Sequence, residues 1–121
     1  MKSSSVSASL STNNLTANIL RRGVLRQLAR LQRGQLVVIE GDERQVFGAA
    51  GSVQQAQVHI LDPAVWGMIA SNGSIGAGEA FIHGYWSTPD LTMVIRVFVS
   101  NLEVLDAMEG GLAKLGRPFI Q

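Results

Sequence analysis

The sequence predicts an α+β domain in which helices cover a small, mostly antiparallel sheet. Apolar residues recur at helical spacing in two stretches, about residues 15–31 and about residues 89–108. Between them lie short segments of β-branched residues, separated by turns that contain glycine. Predicted helices before and after a few short strands in the sequence are typical of an α+β fold with separate helix and sheet layers.

The composition supports a single globular domain. Of 121 residues, 46% are apolar and 16% are charged, which is enough for a core of its own. The absence of cysteine excludes disulfides, thiolate metal sites and cysteine nucleophiles. No stretch approaches the roughly 18 to 20 apolar residues of a membrane span, and residues 1–14 lack the apolar segment of a signal peptide. We therefore expect a cytoplasmic protein.

The first predicted helix runs from about Leu15 to Leu31. It follows a serine-rich segment, residues 1–13, that we expect to be a disordered tail. Gly34 is a plausible helix stop. The apolar stripe of this helix consists of Leu20, Val24, Leu28 and Leu31.

The next segments predict strands. Residues 35–47 form a hairpin, because a β-branched run at 36–39 is followed by a Gly41-Asp42 turn and a second short strand. In residues 56–60 the spacing places Val58 and Ile60 on one face of a strand and His59 on the other.

Asp62 and Pro63 mark the start of a short helix, with Asp62 as its cap. That helix should end at Asn72-Gly73, and a second short helix should run from a cap at Ser74 to Gly84. The sequence therefore predicts two helices separated by a break at Gly73.

The last predicted helix is the longest and runs from Pro89 to Met108, capped by Asp90. Residues 85–86 before it form a short extended piece, and residues 110–111 end the helix. We expect one domain over residues 14–115, with residues 116–121 beginning a linker. The predicted core stripe of the helix is Leu91, Ile95, Phe98, Leu102 and Leu105.

The run at residues 76–79, GAGE, superficially resembles the glycine-rich loop of an S-adenosylmethionine or dinucleotide site. Such a loop should follow a buried strand, but residues 70–73 do not read as one. We favour a tight turn between helices. His59 and His83 are the only histidines, and neither has the partners of a metal or nucleophilic site. We predict no catalytic residue, no metal site and no cofactor in this chain.

Glu79 lies among small and apolar residues of the second short helix. Such a carboxylate is either buried and paired, which favours a functional role, or caps a helix end. No base, nucleophile or second carboxylate adjoins it in sequence, so we favour a capping or interdomain role.

The aromatic residues have two interpretations. The first is an ordinary core, because aromatic side chains bury large areas. The second is an open apolar cleft for an acyl chain, or a docking face for another domain. We take Trp86, beside a turn, as the most exposed of them. The set consists of Trp66, Phe81, Tyr85, Trp86 and Phe98.

The first helix is strongly basic. Residues 1–34 contain six of the ten basic residues and none of the nine acidic ones. Such a helix can lie on an anionic membrane, contact nucleic acid or face solvent. We predict no nucleic-acid partner, because aromatic residues are not interleaved with the arginines. The arginines opposite the apolar stripe are Arg22, Arg26, Arg30 and Arg33.

The run GSIGAGEAFIHGYW at residues 73–86, followed by an acidic residue and an apolar helix, carries a family resemblance. It resembles the small N-terminal domain of cyclopropane-fatty-acyl-phospholipid synthases. The resemblance extends over about residues 34–118. Its other matching segments are residues 36–39, 47–48, 58–60, 62–63 with Trp66, and 90–91.

The resemblance implies a lipid enzyme whose second, Rossmann-like methyltransferase domain uses S-adenosylmethionine to add a methylene to unsaturated phospholipid acyl chains. No catalytic residue of the family matches a position here, so we expect this chain to be catalytically silent without that domain. Its implied partners are the catalytic domain and phospholipid at the inner face of the membrane. We keep a structural or oligomerisation module, such as a homodimer, as the alternative.

Residues 60–97 are also similar to sterol-carrier-type lipid-transfer domains. That similarity implies a helix-covered sheet with an apolar groove. From both resemblances, Trp66, Glu79, Phe81, Tyr85 and Trp86 are our candidates for lipid or interdomain contact.

Overall fold

Helices pack on one face of a small mixed sheet in the computed structural model, which describes residues 3–108 and side chains from residue 15 onwards. The elements are α1 (Ser3–Leu28), β1 (Gln35–Glu40), β2 (Glu43–Gly48), β3 (Gln55–Ile60), α2 (Ala64–Ile82), β4 (Trp86–Ser87), α3 (Leu91–Val99) and a last helix, α4, over 102–108. The predicted α+β class is confirmed.

The sheet has the order β2-β1-β3-β4 within the described residues. β1 pairs antiparallel with β2 and parallel with β3, and β3 pairs antiparallel with β4. The predicted hairpin is confirmed, and Gly41 turns it with a φ of +61°. Leu36 and Val38 of β1 are buried towards the helices. Val37 points to the opposite face because side chains alternate along a strand.

α1 begins earlier than the sequence predicts. The structure has helix from Ser3, whereas we expected residues 1–13 to be a disordered tail. Residues 3–22 contain no glycine or proline, so no helix-breaking residue stops the helix from extending towards the N-terminus. Val24, Leu28 and Leu31 of the predicted apolar stripe are buried.

The predicted break in the glycine-rich region is confirmed. Gly73 has φ 58° and ψ −132°, a conformation outside the helical region, so α2 consists of two helical halves joined by a kink. The first half begins at Ala64 with Pro63 as its N-cap, one residue later than predicted. Asp62, the predicted cap, precedes the cap position, and its Oδ1 accepts a hydrogen bond of 2.9 Å from the Ala64 N–H.

The prediction of one helix over residues 89–108 is wrong. Asp90 caps α3 by accepting a 3.1 Å hydrogen bond from the Met93 N–H, but the helix ends at Val99 and α4 follows. The cause is Asn101, whose side-chain amide donates 2.7 Å bonds to the carbonyls of Val97 and Arg33. The amide thus replaces a backbone donor of the helix and interrupts it.

The predicted core stripe of this region is also wrong in part. Leu91, Ile95 and Leu102 are 39%, 53% and 56% exposed, whereas Val94 and Val97 are buried. Aliphatic residues occupy two faces of α3, and the face with Val94 and Val97 is the one that packs against the sheet. The helix ending predicted at residues 110–111 and the linker predicted at residues 116–121 lie outside the described residues.

Candidate ligand cavity

A cavity of about 390 Å³ lies between the helix-facing side of the sheet and the helices. Its volume falls within the roughly 300–1,000 Å³ of typical small-molecule sites. All the described helices, together with β1, β3 and β4, contribute to its wall. Its lining residues among those described are Val24, Leu28, Leu36, Val38, Val58, Ile60, Val65, Trp66, Ile69, Ser74, Ala77, Gly78, Phe81, Trp86, Leu91, Val94, Ile95, Phe98, Val99, Leu105 and Met108.

The wall of the cavity is hydrocarbon apart from the hydroxyl of Ser74 and two indole N–H groups. Trp66 Nε1 donates to Glu40 Oε2 at 3.3 Å, and Trp86 Nε1 donates to the Ala77 carbonyl at 2.8 Å. Among the described lining residues there is no carboxylate, imidazole or amine. Such a wall can bind an apolar group by removing it from water, but it lacks the groups for acid–base chemistry.

The sheet supplies the floor of the cavity through strand alternation. Leu36 and Val38 of β1 face the helices, and Val38 is in register with Val58 of the parallel neighbour β3. Ile60 lies two residues further along β3 and shares that face. The parallel pairing of β1 and β3 thus places four aliphatic side chains side by side under the cavity.

The kink in α2 keeps the space above this floor open. A Cβ added to Gly76 would lie 1.9 Å from the Met68 carbonyl oxygen, so the two halves of α2 touch through a glycine. The second half then presents Ser74, Ala77 and Gly78 to the cavity. Because these side chains are small or absent, they leave volume that larger residues would fill.

The cavity opens between the second half of α2 and α3. Of its lining residues, Ser74 and Gly78 on α2 are exposed, and so are Leu91, Ile95 and Val99 on α3. We call this opening, bounded by those five residues, the mouth. A Cβ added to Gly78 would meet no atom within 4 Å, so the backbone at the mouth faces open space.

Three of the predicted site residues line the cavity: Trp66, Phe81 and Trp86. The prediction that Trp86 is the most exposed aromatic residue is wrong, because it is 8% exposed. Its ring packs against Phe81 with centroids 4.9 Å apart, and its indole N–H donates a hydrogen bond to the Ala77 carbonyl of α2. Pairing of β4 with β3 turns the Trp86 side chain inwards despite the adjacent turn.

Glu79 and Tyr85, the other two candidates, lie outside the cavity lining. Glu79 is exposed in the last turn of α2, which excludes the buried, paired alternative and leaves the favoured capping or interdomain role a prediction. One residue after Gly78, it points about 100° away from the cavity side of the helix. Tyr85 stacks on His83 with centroids 5.5 Å apart, and its carbonyl accepts bonds from Leu61 and Asp62.

A polar cluster holds α1 to the sheet and α2. Arg21 Nε lies 2.9 Å from Glu40 Oε1, and Arg21 Nη2 lies 2.8 Å from Glu43 Oε1. The same guanidinium is 5.6 Å from the ring centroid of Trp66. These groups line a second, polar cavity of about 420 Å³. Because the charges are already paired with one another, the cluster acts chiefly as a brace.

The predicted membrane-facing arginines are on the surface. Arg22, Arg26 and Arg30 are exposed on α1. Arg33 follows the helix, donates to the Ser100 carbonyl at 3.2 Å and lies 3.7 Å from Glu103 Oε2. Arg33 therefore has a structural contact with the α3–α4 junction as well as an exposed charge.

Neither histidine lines the cavity. His59 lies on the sheet face away from the helices, in register with Ile39 and Ser87, and His83 is exposed. No group of three potential metal ligands occurs among residues 3–108. The helices of that same range are all too short or too polar to cross a bilayer.

Sequence reasoning missed most of the cavity wall. Val94 of α3 and Ile69 of α2 line it, yet both look like ordinary core residues in the sequence. The sequence feature that could have indicated the cavity is the surplus of aliphatic residues on α3, where Leu91, Ile95 and Val99 form a second apolar face beside the buried one. Comparison of the chain with protein families, curated proteins and solved structures finds no match.

Proposed function

We propose that this chain is the non-catalytic, lipid-engaging N-terminal domain of a cyclopropane-fatty-acyl-phospholipid synthase, and that its cavity holds one acyl chain. The observation that carries the proposal is the apolar cavity of about 390 Å³ with its open mouth. The family assignment rests on the resemblance of residues 73–91, the segment that forms the kinked wall of this cavity.

An acyl chain fits the chemistry of the wall. Each methylene transferred from water to an apolar site contributes about 0.8 kcal/mol. Eight methylenes therefore contribute about 6 kcal/mol before the entropic costs of association are subtracted. A charged or strongly polar ligand would lose its hydration in this cavity without gaining compensating partners.

The parent enzyme would bring its own chemistry in a second domain. That domain would bind S-adenosylmethionine and transfer the methylene, while this domain would hold the phospholipid or dock against the catalytic partner. The basic stripe of α1 would add attraction for anionic lipid at the inner face of the membrane.

A structural or oligomerisation module is the second candidate. Exposed aliphatic residues favour it, because Leu91, Ile95 and Val99 form a continuous apolar face that a second copy could cover. The two functions differ in what they require of the cavity. An oligomerisation module needs the outer face of α3 and gains nothing from an open interior.

The test is the binding of a fluorescent fatty acid, below its critical micelle concentration, to the chain and to Gly78→Leu. Gly78 lies at the mouth with open space around it, so leucine there should narrow the entrance without strain. We expect binding by the parent chain and at least tenfold weaker binding by Gly78→Leu, equivalent to about 1.4 kcal/mol.

Gly23→Leu is the matched control. Gly23 is also an exposed helical glycine with no atom within 4 Å of an added Cβ, but it lies on α1 away from the cavity lining. Its binding should equal that of the parent. Absence of binding by the parent chain, or equal loss in both variants, would contradict the proposal.

A further inference from the structure

Exposed aliphatic side chains surround the mouth of the cavity. On α2, Ile75 and Ile82 are 66% and 82% exposed, and they lie three residues before and four residues after Gly78 on the same side of the helix. On α3, Leu91, Ile95 and Val99 are 39%, 53% and 54% exposed. Single exposed aliphatic residues are ordinary, but five around one opening form a patch. We call these five residues the rim.

Few charged side chains lie near the rim. Glu79 is the one charged residue of α2, and it is exposed four residues after Ile75 and three before Ile82, so it lies at the edge of the rim. Arg96 is the one charged residue of α3, placed about 100° around the helix from Ile95. The arginine stripe of α1 lies on a different helix from either side of the rim.

We propose that the rim inserts into the acyl region of a lipid leaflet, so that the cavity opens directly into the bilayer. The inference rests on the proposed function, and it names the source of the ligand and the surface through which it enters. An acyl chain can then pass from the leaflet to the cavity without crossing water, which removes the largest barrier to its transfer.

The chemistry of the rim favours a bilayer over a protein partner. Protein interfaces are rich in aromatic residues, methionine and arginine, and they form about one hydrogen bond per 100–200 Å². The rim consists of isoleucine, leucine and valine, with Gly78 and Ser74 between them. The apolar faces of amphipathic helices lie about 5–10 Å deep at the boundary between headgroups and acyl chains.

The test places an environment-sensitive nitrobenzoxadiazole label on single cysteines, since the chain has no cysteine of its own. Ile75→Cys and Ile95→Cys report on the rim. Val46→Cys is the control, because Val46 is 46% exposed and pairs with Val37 on the sheet face opposite the cavity. Each protein is mixed with phosphatidylcholine vesicles, with and without phosphatidylglycerol, that carry nitroxide-labelled acyl chains.

We expect both rim labels to brighten by roughly twofold or more on either vesicle, and to be quenched by acyl-chain nitroxides, because they leave water for the apolar boundary. The Val46 label should not change. Equal responses at rim and control overturn the inference, and so does a rim response that acyl-chain nitroxides do not quench. A quenched rim response confined to anionic vesicles supports insertion and assigns the recruitment to the arginines of α1. Brightening that occurs without vesicles and grows with protein concentration would assign the rim to a second copy and overturn it too.

A charge variant tests the same surface without a label. Ile95→Glu should lower partitioning into phosphatidylcholine vesicles on the order of tenfold, whereas Val46→Glu should leave it unchanged. Fatty-acid binding measured on the same samples separates the two proposals. Fatty-acid binding without vesicle insertion overturns only the proposed insertion of the rim, whereas absence of fatty-acid binding overturns the proposed function.

Discussion

Asn101 gives the sharpest test of how the fold is held together. It is fully buried at the α3–α4 junction, where its Oδ1 accepts bonds of 2.9 and 3.0 Å from the Gln32 and Arg33 N–H groups. Its Nδ2 donates 2.7 Å bonds to the carbonyls of Arg33 and Val97. One side chain thus joins the end of α1 to the break that creates α4.

Asn101→Ala should lower the free energy of unfolding by about 3 kcal/mol. The two N–H groups would lose their acceptor, and each buried, unpaired donor costs about 1–3 kcal/mol, less where water reaches it. With a urea slope of about 1.5–2 kcal/mol per molar, the unfolding midpoint should fall by about 1.5–2 M. Circular dichroism during urea titration measures this directly.

Ser100→Ala is the control for this prediction. It removes a single 3.2 Å bond between Ser100 Oγ and Gln54 Oε1 at the edge of the same junction, and should cost at most about 1 kcal/mol. A loss below about 1 kcal/mol in Asn101→Ala, or equal losses in both variants, would show that the Asn101 amide does not hold this junction together.

Three further pairs of substitutions test the cavity wall and the brace. Gly76→Ala should destabilise the protein by about 2 kcal/mol or more in thermal unfolding, because its Cβ would overlap the Met68 carbonyl. Gly78→Ala should stabilise the protein by up to about 1 kcal/mol, and equal effects of the two substitutions would count against the kink geometry. Trp86→Ala should lower the free energy of unfolding in urea by about 3–5 kcal/mol, because it removes a buried ring. Trp86→Phe should cost much less, because it keeps a ring and loses only the one hydrogen bond of the indole N–H. A loss below about 1 kcal/mol in Trp86→Ala would contradict the burial of the ring. Glu40→Gln should lower the free energy of unfolding by about 1 kcal/mol at low salt and by less at high salt. Glu43→Gln should have little effect, because the Glu43 side chain is 66% exposed. A loss in Glu40→Gln that does not depend on salt would argue against the brace.

Local signals predicted the order of most elements. The Gly41-Asp42 turn, the Asp62-Pro63 helix start and the Gly73 break each depend on the conformational preferences of one or two residues, and all three occur in the structure. Such preferences act within the chain itself, so a sequence reveals them without knowledge of the packing.

The cavity could not be predicted in the same way, because it depends on which side of α3 meets the sheet. Both faces of α3 are aliphatic, and the sequence pattern selected Leu91 and Ile95 where packing selects Val94 and Val97. Contacts of α3 with β3 and β1, which are distant from it in sequence, decide that arrangement. Asn101 was likewise invisible as a helix break, since its partners at residues 32–33 are distant in sequence.

Nuclear Overhauser effects between a bound fatty acid and protein methyl groups measure most directly whether an acyl chain occupies the cavity. We expect contacts from acyl methylenes to the methyls of Val38, Ile69 and Val94, which line the cavity. We expect none to Val37 or Val46 on the opposite face of the sheet. Contacts restricted to the sheet's open face, or no contacts at saturating fatty acid, would contradict occupation of the cavity by an acyl chain.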